Sequence, residues 1–133
     1  MNALTSSILL VDDHPLLRKG LQQLIDLEDE LVVIGEAATG KEGLQLAIEH
    51  DPDLIILDLN MQGMDGLETL KAMRASDVTS RIIMLTVSDN DEDVLTAISY
   101  GADGYLLKDM DPEEILEKIK QAALGKMVLS EKL

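Results

Sequence analysis

Apolar runs of strand length recur at about positions 7–12, 31–35, 54–58, 82–86 and 104–107, and amphipathic stretches of helical length separate them. This alternation predicts five βα units around a parallel sheet covered on both faces. In the first helical stretch Leu17, Leu21, Leu24 and Ile25 follow i, i+4, i+7, i+8 and are expected to face the sheet, which leaves Leu16 and Gly20 on the outer surface. Helix starts are marked by Thr39-Gly40-Lys41-Glu42 as a capping box, by Asp65 with Glu68 three residues on, and by Asp111-Pro112. Gly101 and Gly125 are expected helix ends. No internal repeat, low-complexity tract or interior linker interrupts the pattern. The expected architecture is a flavodoxin-like, doubly wound five-stranded parallel sheet of order 2-1-3-4-5 with five helices. One domain is expected over residues 7–125, with 126–133 a tail or the start of a linker.

Four of the runs end in polar residues with useful chemistry. Asp12 and Asp13 close Ile8-Leu9-Leu10-Val11, Asp58 closes Leu54-Ile55-Ile56-Leu57, Thr86 closes Ile82-Ile83-Met84-Leu85, and Lys108 closes Tyr105-Leu106-Leu107. Open α/β sheets bind ligands beyond the carboxyl ends of their strands, where strand order reverses. In the order 2-1-3-4-5 the first and third strands are neighbours there, so Asp12, Asp13 and Asp58 crowd together. Three carboxylates in one pocket repel unless a cation neutralises them, and Mg²⁺ suits such oxygen ligands, with Mn²⁺ as a substitute. Lys108 then supplies a point charge and Thr86 a hydroxyl opposite the ion. The set fits phosphoryl transfer onto Asp58, in which positioning and charge neutralisation are most of the catalysis.

Composition narrows the alternatives. The 133-residue chain has no cysteine and two histidines, so disulfides and thiolate metal sites are excluded and oxygen ligands are favoured. A net charge of −15 makes direct nucleic-acid binding by this domain unfavourable. Tyr100 and Tyr105 are the only aromatic residues, too few for a stacking platform or a flavin site. Met1 to Ser7 show no basic segment leading into a long apolar one, and no stretch reaches membrane-span length; a cytoplasmic location without membrane contact is expected.

Ordinary structural roles compete with the functional ones. Asp13 before His14-Pro15 is a possible helix cap, Asp58 a strand-ending turn residue, Lys108 a counter-ion for acids, and Tyr105 a packed aromatic. One cap does not explain two adjacent acids, and the counter-ion role itself presupposes the acidic cluster. His14 is read as a surface residue without catalytic role, and Met61, Met64, Met73 and Met84 as packing. Asp89, Asp91, Glu92 and Asp93 read as a solvated helix start. Asp58 to Gly63 copies the first half of a calcium-binding EF-hand loop, but the twelfth position is Thr69 rather than Glu, and the segment follows a strand.

Val11-Asp12-Asp13-His14-Pro15, Asp58-Leu59-Asn60-Met61, Gly63-Met64-Asp65-Gly66-Leu67-Glu68, Thr86 and Gly101-Ala102-Asp103-Gly104-Tyr105-Leu106-Leu107-Lys108 together resemble the CheY-like receiver domains of two-component response regulators over nearly the whole chain. The likeness is closest to the NarL/FixJ branch and its nitrate/nitrite regulators, through Asp12-Asp13-His14-Pro15 and Leu106-Leu107-Lys108-Asp109-Met110. It implies that Asp58 accepts phosphate from a sensor histidine kinase. It also implies direct Mg²⁺ ligation by Asp13, Asp58 and the Asn60 backbone carbonyl, with Asp12 acting through water. Thr86 and Tyr105 become the switch pair, Lys108 and Thr86 stabilise the phosphoryl group, and Asn60 and Ser88 tune its lifetime. Leu16 and Gly20 are candidates for kinase docking.

Two features depart from the family pattern. Gln62 replaces a common Pro, and the family's C-terminal helix-turn-helix DNA-binding domain is not present before Leu133; a receiver-only piece of a longer regulator is the favoured expectation, a natural single-domain regulator the other. The resemblance implies control of that DNA-binding domain, and hence of transcription, with phosphorylation-dependent homodimerisation. Weak self-catalysis is expected rather than metabolic enzymology. Alternatives are an aspartate-nucleophile phosphohydrolase of the haloacid dehalogenase type, disfavoured by Asn60 where a second acid is needed, a constitutive pseudo-receiver binding module, and a flavodoxin-like electron carrier.

Overall fold

A computed structural model of the chain describes residues 5–130. The calls on Met1 to Leu4 and on the last three residues of the expected tail lie outside them. Strands β1 (Ser6–Val11), β2 (Leu31–Ala37), β3 (Leu54–Leu57), β4 (Arg81–Thr86) and β5 (Gly104–Leu107) alternate with helices α1 (Pro15–Asp26), α2 (Gly40–His50), α3 (Gly66–Ala75), α4 (Asp91–Ser99) and α5 (Pro112–Ala123). A sixth strand, β6 (Val128–Leu129), follows α5. The sheet is parallel throughout in the order β2-β1-β3-β4-β5-β6.

The strand order agrees with expectation, and the strand count is corrected from five to six. Two residues are too few to give a periodic signal, so β6 is defined by its partners. Gly104 and Tyr105 pair with Val128 and Leu129. The Ser130 backbone N–H donates to the Tyr105 carbonyl at 3.1 Å, and the Ser130 hydroxyl accepts the Leu107 N–H at 2.8 Å. Gly104 permits this closeness, because an added Cβ would stand 2.6 Å from Val128 Cγ2 and 2.7 Å from its carbonyl oxygen.

Alternate strand positions divide the core in two. Leu9, Val11, Ile55, Leu57, Met84 and Tyr105 face one layer with Ala47 of α2, Leu70 and Met73 of α3 and Ala97 of α4. Ile8, Leu10, Ile56, Ile83 and Leu106 face the other, with Leu21 and Ile25 of α1 and Ile115 and Ile119 of α5. Strands covered on both faces must be apolar at every position, which is why β3 is uninterrupted Leu-Ile-Ile-Leu. Leu17 and Leu24 lie partly buried, Leu21 and Ile25 fully, so the predicted inner face of α1 is correct.

The helix ends follow local chemistry with one variation. Asp65 and Glu68 form a complete capping box at α3. At α2 the Thr39 hydroxyl accepts the Glu42 N–H, but the Glu42 carboxylate takes the Ala38 N–H instead of that of Thr39. Asp111 makes no side-chain cap, and Pro112 opens α5 with its preset φ. Gly101 and Gly125 have positive φ just past α4 and α5.

The buried Leu107 N–H has the Ser130 hydroxyl as acceptor, so Ser130→Ala is expected to destabilise the domain by about 1–2 kcal/mol. Urea unfolding of the two proteins checks this, and coincident midpoints would show that this hydrogen bond adds nothing to the fold.

Candidate functional site

Parallel register carries the key side chains to one rim. Val11 pairs with Leu57, so the next residues, Asp12 and Asp58, emerge side by side, and the Asp58 N–H donates to the Val11 carbonyl at 2.9 Å. β2 runs two residues beyond the predicted end, to Ala37, whose carbonyl accepts the Asp12 N–H at 3.0 Å. On the other side Thr86 pairs with Leu107, and the Lys108 N–H donates to the Thr86 carbonyl at 2.8 Å. Gly66 opens α3 directly against this rim. A Cβ there would lie 2.2 Å from the Asp58 carbonyl oxygen, so only glycine lets the helix approach.

The structure therefore brings together Asp12, Asp13, Asp58, Asn60, Thr86 and Lys108. Asp58 is 1 % exposed, and Lys108 Nζ stands 3.1 Å from Asp58 Oδ2 and 3.1 Å from Asp12 Oδ2. The contact with Asp58 Oδ2 is an ion pair rather than an aligned hydrogen bond, and that oxygen has no hydrogen-bond donor. Asp13 Oδ1 likewise has none. Asp58 Oδ1 accepts the Asn60 N–H at 3.2 Å, which fixes the carboxylate plane. Buried oxygens aimed at one another without donors, with atoms of Asp12, Asp13 and Asp58 all within 4.8 Å, are a donor set that fits a hard divalent cation.

A second group links the rim to the surface. Thr86, fully buried, accepts at Oγ1 from Asn60 Nδ2 at 3.1 Å and, more weakly, from the Ser88 N–H at 3.4 Å. The Ser88 hydroxyl donates to Asp93 of α4 at 2.6 Å, and the Ser88 carbonyl accepts the Tyr105 hydroxyl at 2.9 Å. Tyr105 is turned inward with no exposed surface. Leu16 and Gly20 lie apart from this site on the outer face of α1; Leu16 is 87 % exposed, and nothing stands within 4 Å of a Cβ placed on Gly20.

Three readings of the sequence need correction. Asp13 is not the cap of α1; that position is His14, which makes no side-chain cap. His14 is not merely a surface residue, because its Nδ1 lies 2.9 Å from Asp12 Oδ1, 3.1 Å from Asp13 Oδ1 and 3.7 Å from Asp58 Oδ2. The usable signal was Pro15, which holds the preceding residue extended, here at φ −101 and ψ 101, and so folds the ring back over the acids. Asp93 is more than a solvated helix start, since it receives the Ser88 hydroxyl. Of the methionines, Met61, Met73 and Met84 are core residues and Met64 is half-buried.

The family model for the response regulator receiver domain matches residues 8–120. The chain is 54 % identical over 128 residues to the nitrate/nitrite response regulator protein NarL of Escherichia coli strain K12, covering 96 % of this chain and 59 % of that protein. It is 52 % identical over 126 residues to NarP of the same strain, covering 95 % and 59 %. It thus spans about three-fifths of the length of the curated relatives it matches. Among solved structures, a LuxR-family two-component response regulator from Aurantimonas sp. SI85-9A1 superposes with a TM-score of 0.91 at 34 % identity, over 96 % of this chain and 91 % of that one. The signal receiver domain of the putative response regulator NarL from Mycobacterium tuberculosis gives 0.86 at 34 %, over 92 % and 98 %.

Burial raises the Asp58 pKa above the ordinary carboxylate value, and the Asp12 charge raises it further, while Lys108 and the Asn60 N–H pull it back. A folded-state value above the unfolded one means that Asp58 favours the fold below its unfolded pKa and that this contribution is lost as pH rises through the folded value. Asp58→Asn is therefore expected to raise Tm by a few degrees at neutral pH without added metal, with the gain vanishing toward about pH 4. Calorimetric scans across pH check the sign; a lower Tm for the variant at neutral pH would mean that the Lys108 ion pair outweighs burial and repulsion.

Proposed function

We propose, for a chain that belongs to the response regulator receiver domain family, that it is a phosphorylation switch which accepts a phosphoryl group on Asp58 from the phosphohistidine of a sensor histidine kinase. The observation that carries this reading is the buried Asp58 carboxylate with Lys108 Nζ 3.1 Å away and two further carboxylates beside it. In the transfer an Asp58 oxygen attacks phosphorus, the P–N bond breaks, and its electron pair returns to the kinase imidazole. The product is an acyl phosphate.

Each residue has a physical task in that step. The Asn60 N–H holds the nucleophile in plane. Lys108 exchanges its contact with Asp58 Oδ2 for the arriving phosphoryl oxygens, whose charge needs a fixed cation. Thr86 already accepts two hydrogen bonds, so its own proton is free to be given to a phosphoryl oxygen. Asp13, Asp58 and the Asn60 carbonyl, with Asp12 through water, would hold Mg²⁺, which when bound would neutralise phosphoryl oxygen charge. Asn60 and Ser88 stand at the positions which, by the family resemblance, tune the lifetime of the acyl phosphate. Movement of Thr86 disturbs the Ser88 loop on which Tyr105 and α4 depend, a local charge event biasing a surface.

The further assignments rest on the relatives' names and the family. The receiver unit spans about residues 7–125 and works on a C-terminal DNA-binding domain in the whole regulator, controlling transcription; this domain itself makes no nucleic-acid contact. Weak self-catalysed phosphorylation and dephosphorylation belong to the same reading, as does dimerisation of the phosphorylated form. Among the described residues no helix is long and apolar enough to cross a membrane. Where the phosphohydrolase alternative needs a second acid, Asn60 instead donates an amide to Thr86.

Incubation with acetyl phosphate and Mg²⁺ is expected to add one phosphoryl mass that hydroxylamine removes, and to add none to Asp58→Asn or in EDTA. Lys108→Ala is expected to keep Mg²⁺ binding, since Lys108 is not itself a metal ligand and its loss leaves the carboxylates in place, while labelling slows on the order of 10²-fold. Intact-mass spectrometry reads both, an adduct on Asp58→Asn overturns the assignment, and sedimentation of the labelled chain tests dimerisation. Leu16→Ala and Gly20→Gln are expected to slow transfer from the cognate kinase without changing labelling by acetyl phosphate; equal transfer rates would remove α1 as the docking face.

A further inference from the structure

We propose that His14 makes the acidic pocket a mixed nitrogen–oxygen metal site, which binds an imidazole-preferring divalent transition ion such as Ni²⁺ in competition with Mg²⁺. The inference rests on the pocket being the cation site of the receiver and adds a ligand to it. Its geometric basis is the placement of Nδ1 among the carboxylates: 2.9 Å from Asp12 Oδ1, 3.1 Å from Asp13 Oδ1 and 3.7 Å from Asp58 Oδ2. Two atoms bound at right angles to an ion with bonds of ~2.1 Å stand about 3.0 Å apart, so the 3.1 Å from Nδ1 to Asp13 Oδ1 is the separation of adjacent ligands on one ion.

An independent observation points the same way. Asp58 Oδ2, in a side chain only 1 % exposed, and Asp13 Oδ1 both lack hydrogen-bond donors and face the volume that Nδ1 borders. Lys108 Nζ stands 3.1 Å from Asp58 Oδ2 and from Asp12 Oδ2 and 3.5 Å from Nδ1, so the ammonium borders the same carboxylate–imidazole group and a bound ion competes with it for these oxygens. The imidazole is held in place from two directions: Pro15 fixes the backbone of His14, and Asp12 Oδ1 accepts the His14 backbone N–H at 2.7 Å. An ion bound at Nδ1 requires the neutral tautomer that carries its proton on Nε2.

Ligand chemistry then determines which ion gains. Mg²⁺ takes oxygen ligands and retains its waters, so an added imidazole changes its affinity little. First-row ions toward the end of the divalent series bind more tightly to any such donor set, and imidazole raises that preference further. His14 thereby sets selectivity among ions at a position where the three carboxylates alone would set only charge. The consequence is a receiver whose occupancy depends on the ratio of free transition ion to free Mg²⁺.

The test is isothermal calorimetry of the 133-residue chain with Ni²⁺ alone, with Mg²⁺ alone, and with Ni²⁺ in excess Mg²⁺, repeated on His14→Ala, His50→Ala and Asp58→Asn. The expected result is a Ni²⁺ affinity that His14→Ala lowers by on the order of 10- to 100-fold, with Mg²⁺ affinity unchanged within error, excess Mg²⁺ weakening Ni²⁺ binding, and His50→Ala without effect. Co²⁺ absorption gives a second readout, a band intensity that falls when the imidazole is lost. Equal Ni²⁺ affinity in His14→Ala, equal losses for both ions, dependence on His50 instead, or indifference to Mg²⁺ would each overturn the proposal. Failure of Mg²⁺ itself to bind, or Mg²⁺ binding indifferent to Asp58→Asn, would instead overturn the cation-site reading, and this inference with it.

Discussion

Two carboxylates forced together at the ends of adjacent parallel strands are the constraint on which the site depends. The pairing of Val11 with Leu57 leaves Asp12 and Asp58 no choice of neighbour, and burial removes the water that would screen them. The raised Asp58 pKa expresses that conflict. Lys108 relieves part of it from the far side of the site, and it is there because β5 pairs with β4 one residue before it. The oxygens that remain without donors, Asp58 Oδ2 and Asp13 Oδ1, leave the acidic cluster a donor set that fits a hard cation. An apolar rim would be more stable and chemically inert.

The same reasoning explains what could be read from sequence. β1, β3, β4 and β5 carry unbroken apolar runs because helices cover both faces, and each ends where the rim meets solvent, so run and terminating residue together disclosed Asp58, Asp12, Asp13, Thr86 and Lys108. β6 was hidden because a two-residue edge strand has no periodicity; the partners that define it, Gly104 and Tyr105, lie more than twenty residues upstream. His14 was hidden for another reason. Its type suggested exposure, and the ring is largely exposed, but contact with the carboxylates is decided by the backbone before Pro15. The Glu42 carboxylate shows the limit of motif reading: the capping-box letters are present, yet the side chain takes the N–H one residue further back.

Chemistry and surface are joined by hydroxyl groups rather than by apolar packing. Thr86 receives Asn60 from the loop after β3, Ser88 divides its bonds between Thr86, Asp93 and Tyr105, and each of these contacts is a single hydrogen bond. Such bonds can be exchanged for others at small net cost, whereas a methyl group displaced from a packed core leaves a cavity. The Thr86, Ser88 and Tyr105 hydroxyl contacts can therefore be exchanged at lower cost than the packing of the Tyr105 ring in the layer beneath them.

The short segment from Tyr105 to Met110 concentrates these demands. Within it Tyr105 reaches the Ser88 loop, Lys108 reaches the carboxylates, and Ser130 binds the Tyr105 carbonyl, the Leu107 N–H and the Met110 sulfur. The last described residues of the chain are thus attached to the strand that carries Lys108 and, through Val128, to the core layer that α5 covers. The hydrogen bonds of Ser130 to Tyr105 and Leu107 tie the end of the described chain to the strand immediately before Lys108, whose own N–H is held by the Thr86 carbonyl and whose ammonium reaches the two carboxylates.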